Sequence, residues 1–109
     1  MNEEQFHHLL EQAKRGEAPA VLAAVDLEPG LVSRAGEGNG STILHNACQG
    51  GHVDLACDLL DRCADVHQRS TDRVDALMYA SLNGHVPVME LLISRGAAGM
   101  WKSGHHNCR

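Results

Sequence analysis

A 33-residue repeat constrains the fold of this 109-residue chain more than any other sequence feature. Between residues 44 and 64, eight of 21 positions are identical to the residue 33 places further on, without a gap. The recurring residues are Leu44, Ala47, Gly51, His52, Val53, Leu59, Arg62 and Ala64. A period of this length is typical of folds in which similar units stack on one another.

Local signals predict two helices in each unit. Thr42 suits the N-cap of a helix that the pair Gly50-Gly51 ends, and Asp75 can cap the equivalent helix one unit later. Gly96 is the expected stop of the last helix. The predicted helices span residues 5–15, 20–26, 43–50, 53–62, 76–82 and 87–94.

The first 38 residues resemble a divergent copy of the same unit. With an offset of 35 residues, Gly16 aligns with Gly51, so Gly16 is predicted to end the first helix in a left-handed conformation. Pro19 then falls in the first turn of the second helix, where its missing N–H is not needed. A loop from Asp26 to Gly40 is expected to join this unit to the next.

The segment Thr42-Ile43-Leu44-His45-Asn46-Ala47 resembles the ankyrin signature Thr-Pro-Leu-His-x-Ala, and the 33-residue spacing is that of the ankyrin family. Gly51-His52 and Ala64-Asp65-Val66 are similar to the rest of that repeat. The resemblance covers residues 40–98. It implies an all-α ankyrin-repeat solenoid of about three stacked helix-turn-helix repeats with hairpin-like tips.

We predict a single ankyrin-repeat domain over residues 1–109. It divides into a divergent N-terminal repeat at 1–38, a second repeat at 39–71 and a third at 72–104, followed by a tail or the start of a further repeat at 105–109. The sequence shows no polar capping repeat after the third unit, and stacked repeats need one for solubility. We therefore expect self-association through the uncapped C-terminal end, or a longer protein.

Charge and composition exclude several classes of partner. The net charge is −5 and no block of Lys and Arg occurs, which argues against nucleic acid. No apolar run approaches the roughly 20 residues of a membrane span, so membrane insertion is not expected. An acidic start without a signal sequence, and four cysteines without a Cys-x-x-Cys pair, favour a reduced intracellular protein, cytoplasmic or nuclear.

Candidate chemical sites have structural explanations, so we expect no catalytic, cofactor or metal site. The resemblance implies that His45 hydrogen-bonds to neighbouring backbone, and the periodic His52 and His85 suit the turn between helices. His105, His106 and Cys108 fall short of the four ligands of a structural zinc site. Cys48 and Cys57 are expected to be small core residues, and the glycine-rich stretch 36–40 a connecting loop.

The resemblance implies a non-enzymatic protein–protein interaction module, a scaffold or adaptor whose partner the sequence does not identify. Stacked repeats form a concave face from their tips and first helices. By register, the candidate first-helix residues are Lys14, Arg15, Gln49, Leu82 and Asn83. The candidate tip residues are Asn39, Ser41, Arg69, Thr71, Asp72, Val74 and Trp101. Leu82, Val74 and Trp101 stand out as apolar residues at positions expected to be exposed.

Two other functions stay open at this point. The repeats are also suited to be the substrate-recruiting arm of a larger enzyme such as a ubiquitin ligase or kinase. A third hypothesis is a metal- or redox-responsive module that uses Cys63, Cys108 and the terminal histidines.

Overall fold

The computed structural model describes residues 3–36, 40–62 and 64–95. Within these ranges the chain forms six α-helices and one 3-10 helix, and no strand. The helices are α1 Glu3–Arg15, α2 Ala18–Leu27, α3 Ile43–Gly50, α4 Val53–Asp61, α5 Ala76–Leu82 and α6 Val86–Ser94, with the 3-10 helix at Pro29–Ser33. The predicted all-α solenoid of three helix pairs is confirmed, while the repeat boundaries stay a prediction.

The six helices form two rows. The inner row contains α1, α3 and α5, with α3 packed between the other two. The outer row contains α2, α4 and α6, with α4 in the middle. Neighbouring helix pairs therefore bury apolar surface against each other as well as within themselves, as expected of a solenoid.

Small side chains fill much of the interface between the rows. Ala13, Ala47 and Ala80 are fully buried on the inner helices, and Ala56 is fully buried on α4. Because interaxial distances depend on the side chains at the contact, these alanines let the helices approach closely. Phe6 on α1 is the single phenylalanine of the chain and is also fully buried.

Helices α3 and α5 begin and end at the residues that the sequence indicated, whereas α1 begins two residues before the predicted start, at Glu3. The Thr42 side chain accepts a hydrogen bond from the backbone N–H of His45 at 3.2 Å, and Asp75 accepts one from Met78 at 2.9 Å. Gly16, Gly51 and Gly84 follow α1, α3 and α5 with φ between 73° and 83°. The backbone of a residue with a Cβ is strained in this left-handed region, which explains why glycine recurs at these three positions.

The connection from Asp26 to Gly40 differs from the predicted loop. α2 continues to Leu27, and residues 29–33 form the 3-10 helix, which buries Leu31 and Val32. Pro29 opens this 3-10 helix, because proline is tolerated in the first turn of a helix and its φ is already fixed near the helical value. Burial of two apolar side chains then stabilises this short turn.

Candidate binding surface

Histidine side chains connect neighbouring inner helices. His52 Nε2 donates a hydrogen bond to the Lys14 carbonyl at 2.8 Å, and His85 Nε2 donates one to the Gln49 carbonyl at 3.0 Å. Each donor lies in the turn that follows one inner helix, and each acceptor belongs to the preceding inner helix. The structural role predicted for both histidines is confirmed, and the bonds set the spacing of the inner row.

Arginine side chains connect the outer helices in the same way. Arg62 Nε lies 2.8 Å from Asp26 Oδ1, and Arg95 Nη2 lies 2.7 Å from Asp61 Oδ1. The hydrogen bond from Arg62 lowers the pKa of Asp26. Sequence reasoning missed these pairs, although the recurrence of Arg62 as Arg95, each with an aspartate about one repeat upstream, was a visible signal.

His45 anchors the tip between the second and third helix pairs. Its Nδ1 accepts from the Thr42 N–H at 3.1 Å, and its Nε2 donates to the Gln68 carbonyl at 2.8 Å. This pattern requires the neutral ring with the proton on Nε2. Burial lowers the pKa of His45, while the bond to Gln68 and the charge of Asp75 act in the opposite direction. The buried neutral ring is therefore structural, as the sequence indicated.

A tight turn at residues 70–74 forms the tip itself. The Ser70 N–H donates to the Val74 carbonyl at 3.0 Å, and the Arg73 N–H donates to the Ser70 carbonyl at 2.9 Å. Arg73 has φ of 63°, the only positive value at a non-glycine residue among those described. The turn is hairpin-like, as predicted, and it projects Thr71 and Asp72 into solvent.

Ten of the twelve predicted binding residues lie in the described ranges, while Asn39 and Trp101 lie outside them. Seven of the ten are exposed, and these are Lys14, Arg15, Arg69, Thr71, Asp72, Leu82 and Asn83. Gln49 and Val74 are half-buried. Val74 is therefore less available as an apolar anchor than the sequence suggested.

The expectation that Ser41 lies exposed at a tip is wrong. Ser41 is 7% exposed, and its hydroxyl accepts a hydrogen bond from Asn46 Nδ2 at 3.2 Å. The Ser41 carbonyl also accepts from the Gly36 N–H at 2.9 Å. These bonds hold Ser41 against the start of α3, so its side chain is buried instead of exposed.

The sequence analysis did not single out several surface residues of the inner row. Tyr79 on α5 is half-buried and stands one repeat after Asn46 on α3. The ring of Tyr79 lies 5.1 Å from that of His45, measured between centroids. Met78, at the position of His45 in the next repeat, is exposed. Both positions could have been identified from the 33-residue repeat, which aligns Met78 with His45 and Tyr79 with Asn46.

The described residues offer no cluster of metal ligands. No group of three or more His, Cys, Asp or Glu side chains is placed to hold a metal ion in these ranges. An open depression of about 390 Å³ lies beside the start of α1, lined by Glu3, Glu4, Phe6, His7, Leu10 and Gly36. Burial raises the pKa of the Cys48 thiol to about 12, so that thiol is protonated and unreactive at neutral pH.

No helix in the described ranges has the length and apolar character that crossing a membrane requires. Cys63, Cys108, His105 and His106, which the redox and metal hypothesis invokes, lie outside those ranges.

The chain belongs to the ankyrin-repeat family, since the family model for ankyrin repeats in three copies matches residues 5–100. Ankyrin repeats are stacked units whose extended faces hold other proteins. Together with the exposed inner row and tip, this membership defines the chain as a protein–protein interaction module.

Two proteins of Oryza sativa subsp. japonica are similar in sequence. One is named probable E3 ubiquitin-protein ligase XBOS33 and is 33% identical over 85 residues, which are 78% of this chain and 16% of the rice protein. The other, probable E3 ubiquitin-protein ligase XBOS31, is 31% identical over 91 residues, 84% of this chain and 20% of its own length. The chain thus spans no more than a fifth of either relative.

A solved structure is similar in fold. It is the complex of the Bd0816 predatory endopeptidase from Bdellovibrio bacteriovorus with immunity protein Bd3460. The matched chain superposes with a TM-score of 0.76 at 30% identity, over 82% of this chain and 46% of that one. An ankyrin-like stack therefore exists in a complex between proteins.

Proposed function

We propose that this chain binds a protein partner through the inner helices and the 70–74 tip, without catalysis of its own. The observation that carries the proposal is Leu82, whose side chain is 78% exposed at the end of α5. Met78, four residues earlier on the same face of α5, is also exposed, and apolar side chains that form an exposed patch mark interaction sites. The exposed Arg69 at the tip offers the residue type, arginine, that is enriched among binding hot spots.

The hydrogen bonds between neighbouring repeats also favour binding through the inner helices. The His52–Lys14 and His85–Gln49 hydrogen bonds hold the three inner helices at a set spacing before any partner arrives. Binding to a preorganised surface costs less ordering of backbone and side chains than binding to a mobile one. The bound partner of the similar Bdellovibrio complex is consistent with such a role.

The test is a titration of variants against a partner obtained by affinity capture and identified by mass spectrometry. We expect the double variant Leu82→Ala with Arg69→Ala to weaken binding by at least ~2 kcal/mol, the usual scale of hot spots. Both side chains are exposed, so the melting temperature should stay nearly unchanged.

The chain offers a matched control for that experiment. Leu27 at the end of α2 is 83% exposed, as much as Leu82, but it belongs to the outer row. Leu27→Ala combined with Glu90→Ala should leave affinity unchanged. If the outer variants lose binding while Leu82→Ala with Arg69→Ala keeps it, the binding surface is on the other side of the stack.

A second candidate function is the substrate-recruiting arm of a larger ubiquitin ligase. The observation that favours it is the similarity to two rice proteins named as probable E3 ubiquitin-protein ligases, of which this chain spans 16% and 20%. Immunoblotting of the native protein should then show a mass well above the 11.7 kDa of this chain. A native protein of 11.7 kDa would exclude this candidate and leave the first intact.

The proposed location is inside the cell, in the cytoplasm or nucleus. The free thiols of Cys48 and Cys57 are consistent with a reducing compartment. Fractionation of cells that express the tagged protein tests this, and recovery from the medium or from the membrane pellet would contradict it.

A further inference from the structure

A residue other than glycine holds the left-handed position of the 70–74 tip. Arg73 has φ of 63°, and Gly40, which precedes it by one 33-residue repeat, has φ of 70°. Glycine adopts this conformation readily, whereas a residue with a Cβ is strained in it. The chain therefore has the same left-handed conformation at both positions, but only Arg73 is strained by it.

Hydrogen bonds within the tip hold Arg73 in this conformation. The Arg73 N–H donates to the Ser70 carbonyl at 2.9 Å, and the Ser70 N–H donates to the Val74 carbonyl at 3.0 Å. The buried Ser70 hydroxyl also accepts from the N–H groups of Asp72 and Val74, at 3.3 and 3.4 Å. Strained residues persist where the surrounding structure fixes them, and they cluster at functional sites. Arginine at this position therefore favours a role beyond the fold.

The guanidinium of Arg73 has no ion-pair partner within the described ranges. Six arginines lie in those ranges, and four of them pair with a carboxylate, namely Arg15, Arg34, Arg62 and Arg95. The other two, Arg69 and Arg73, are both exposed at the tip and pair with no described residue. Their charges are therefore available to a binding partner.

The charge that the tip offers to a partner matches a single carboxylate. Arg69 and Arg73 contribute two positive charges, and Asp72, which lies between them in sequence, contributes one negative charge. The carboxylates at the ends of the segment, Asp65 and Asp75, instead accept backbone N–H groups at 2.8 and 2.9 Å, which partly offset their charge. The side chains available to a partner thus sum to +1. One carboxylate neutralises this charge, and a phosphate dianion would exceed it.

We propose that Arg69 and Arg73 bind a carboxylate of the protein partner, and that this contact, not the fold, accounts for arginine at position 73. The proposal rests on the protein-binding function proposed above, and it names the chemical group that the tip recognises. A guanidinium presents its five N–H donors in a planar fork, which fits both oxygens of a carboxylate.

Selection from a phage-displayed library of random dodecapeptides, carried out on the full chain, tests the proposal. The native chain should enrich peptides that contain Asp or Glu, and Arg73→Asn should enrich them less. In synthetic copies of the enriched peptides, replacement of the carboxylate by its amide should weaken binding to the native chain about tenfold, the scale of a hydrogen bond to a charged group. The same replacement should have little effect on binding to Arg73→Asn, because the contact is already absent there.

The melting temperature separates this role of Arg73 from a structural one. Asparagine tolerates the left-handed conformation better than arginine, so Arg73→Asn should raise the melting temperature by roughly 4 °C while it weakens peptide binding. Arg73→Lys keeps the Cβ and the charge, so its melting temperature should equal that of the native chain. Its affinity for the peptides should still fall, because an ammonium group lacks the planar fork.

Ala23→Glu is the matched control for the change in net charge. Ala23 is exposed on α2, in the outer row, and this substitution lowers the net charge as much as Arg73→Asn does. Peptide enrichment and affinity should match those of the native chain. A loss equal to that of Arg73→Asn would mean that net charge governs binding and would overturn the assignment to the tip.

Failure of the native chain to enrich carboxylate-bearing peptides would overturn the proposal, as would a lower melting temperature of Arg73→Asn with unchanged affinity. Peptides that bind only after enzymatic phosphorylation would show that the tip takes a phosphate and would overturn the choice of a carboxylate. The protein-binding function stands in each case if Leu82→Ala with Arg69→Ala still weakens binding of the captured partner. Unchanged binding of that partner to the double variant would instead contradict the function itself.

Discussion

Replacing Gly51 by valine should destabilise the fold by about 2–3 kcal/mol. Gly51 has φ of 78°, a conformation that costs a residue with a Cβ about 1–2 kcal/mol. The added Cβ would also lie 2.6 Å from the His85 ring, so the ring must move and its 3.0 Å hydrogen bond to Gln49 is lost. A hydrogen bond contributes about 1 kcal/mol net, which gives the upper part of the range.

The assay is urea denaturation followed by circular dichroism, with Gly30→Val as the matched control. Gly30 has no positive φ, and a Cβ there meets nothing within 4 Å, so the control should shift stability by less than about 0.5 kcal/mol. An unchanged denaturation midpoint for Gly51→Val, or an equal loss in the control, would refute the reasoning about this turn.

Two further predictions concern buried titratable groups. Because burial lowers the pKa of His45 in the folded protein, its contribution to stability is complete above the unfolded pKa of about 6.5 and declines as the pH falls from there toward the folded pKa. His45→Met, which copies Met78 of the third repeat, should flatten this part of the pH–stability curve, and a curve parallel to that of the native chain would contradict the assignment. Cys48, with a pKa raised to about 12, should resist alkylation at pH 8 until the protein is unfolded, as peptide mapping by mass spectrometry would reveal; rapid labelling of the native protein would show that the thiol is accessible.

Local chemistry explains why so much of the fold was predictable from the sequence. A helix N-cap depends on one side chain and the backbone three residues on, so Thr42 and Asp75 could be assigned without knowledge of the fold. A left-handed turn likewise depends on the absence of a Cβ, so Gly16 and Gly51 marked helix ends directly. The candidate binding residues on the first helices and at the tips were assigned from the same 33-residue repeat, and most of those that the structure describes are exposed.

Burial of individual side chains was less predictable, because it depends on which surfaces meet. Ser41 was assigned by register to an exposed tip, yet it is buried and its hydroxyl accepts a hydrogen bond from Asn46. Leu31 and Val32 lie in the stretch from Asp26 to Gly40 that was expected to be a connecting loop, yet the 3-10 helix buries both. In each case packing against another element outweighed the local signal.

The sequence by itself determined the repeat period, the helices and their caps, since these depend on contacts within a few residues along the chain. Only the tertiary structure decided how one repeat holds the next. The His52–Lys14 and Asp26–Arg62 bonds join residues 38 and 36 positions apart, and such pairs meet only after the helices have stacked. Stacking also places the His52 ring over Gly16 and the His85 ring over Gly51, contacts that the shared backbone conformation of these two turns does not by itself require.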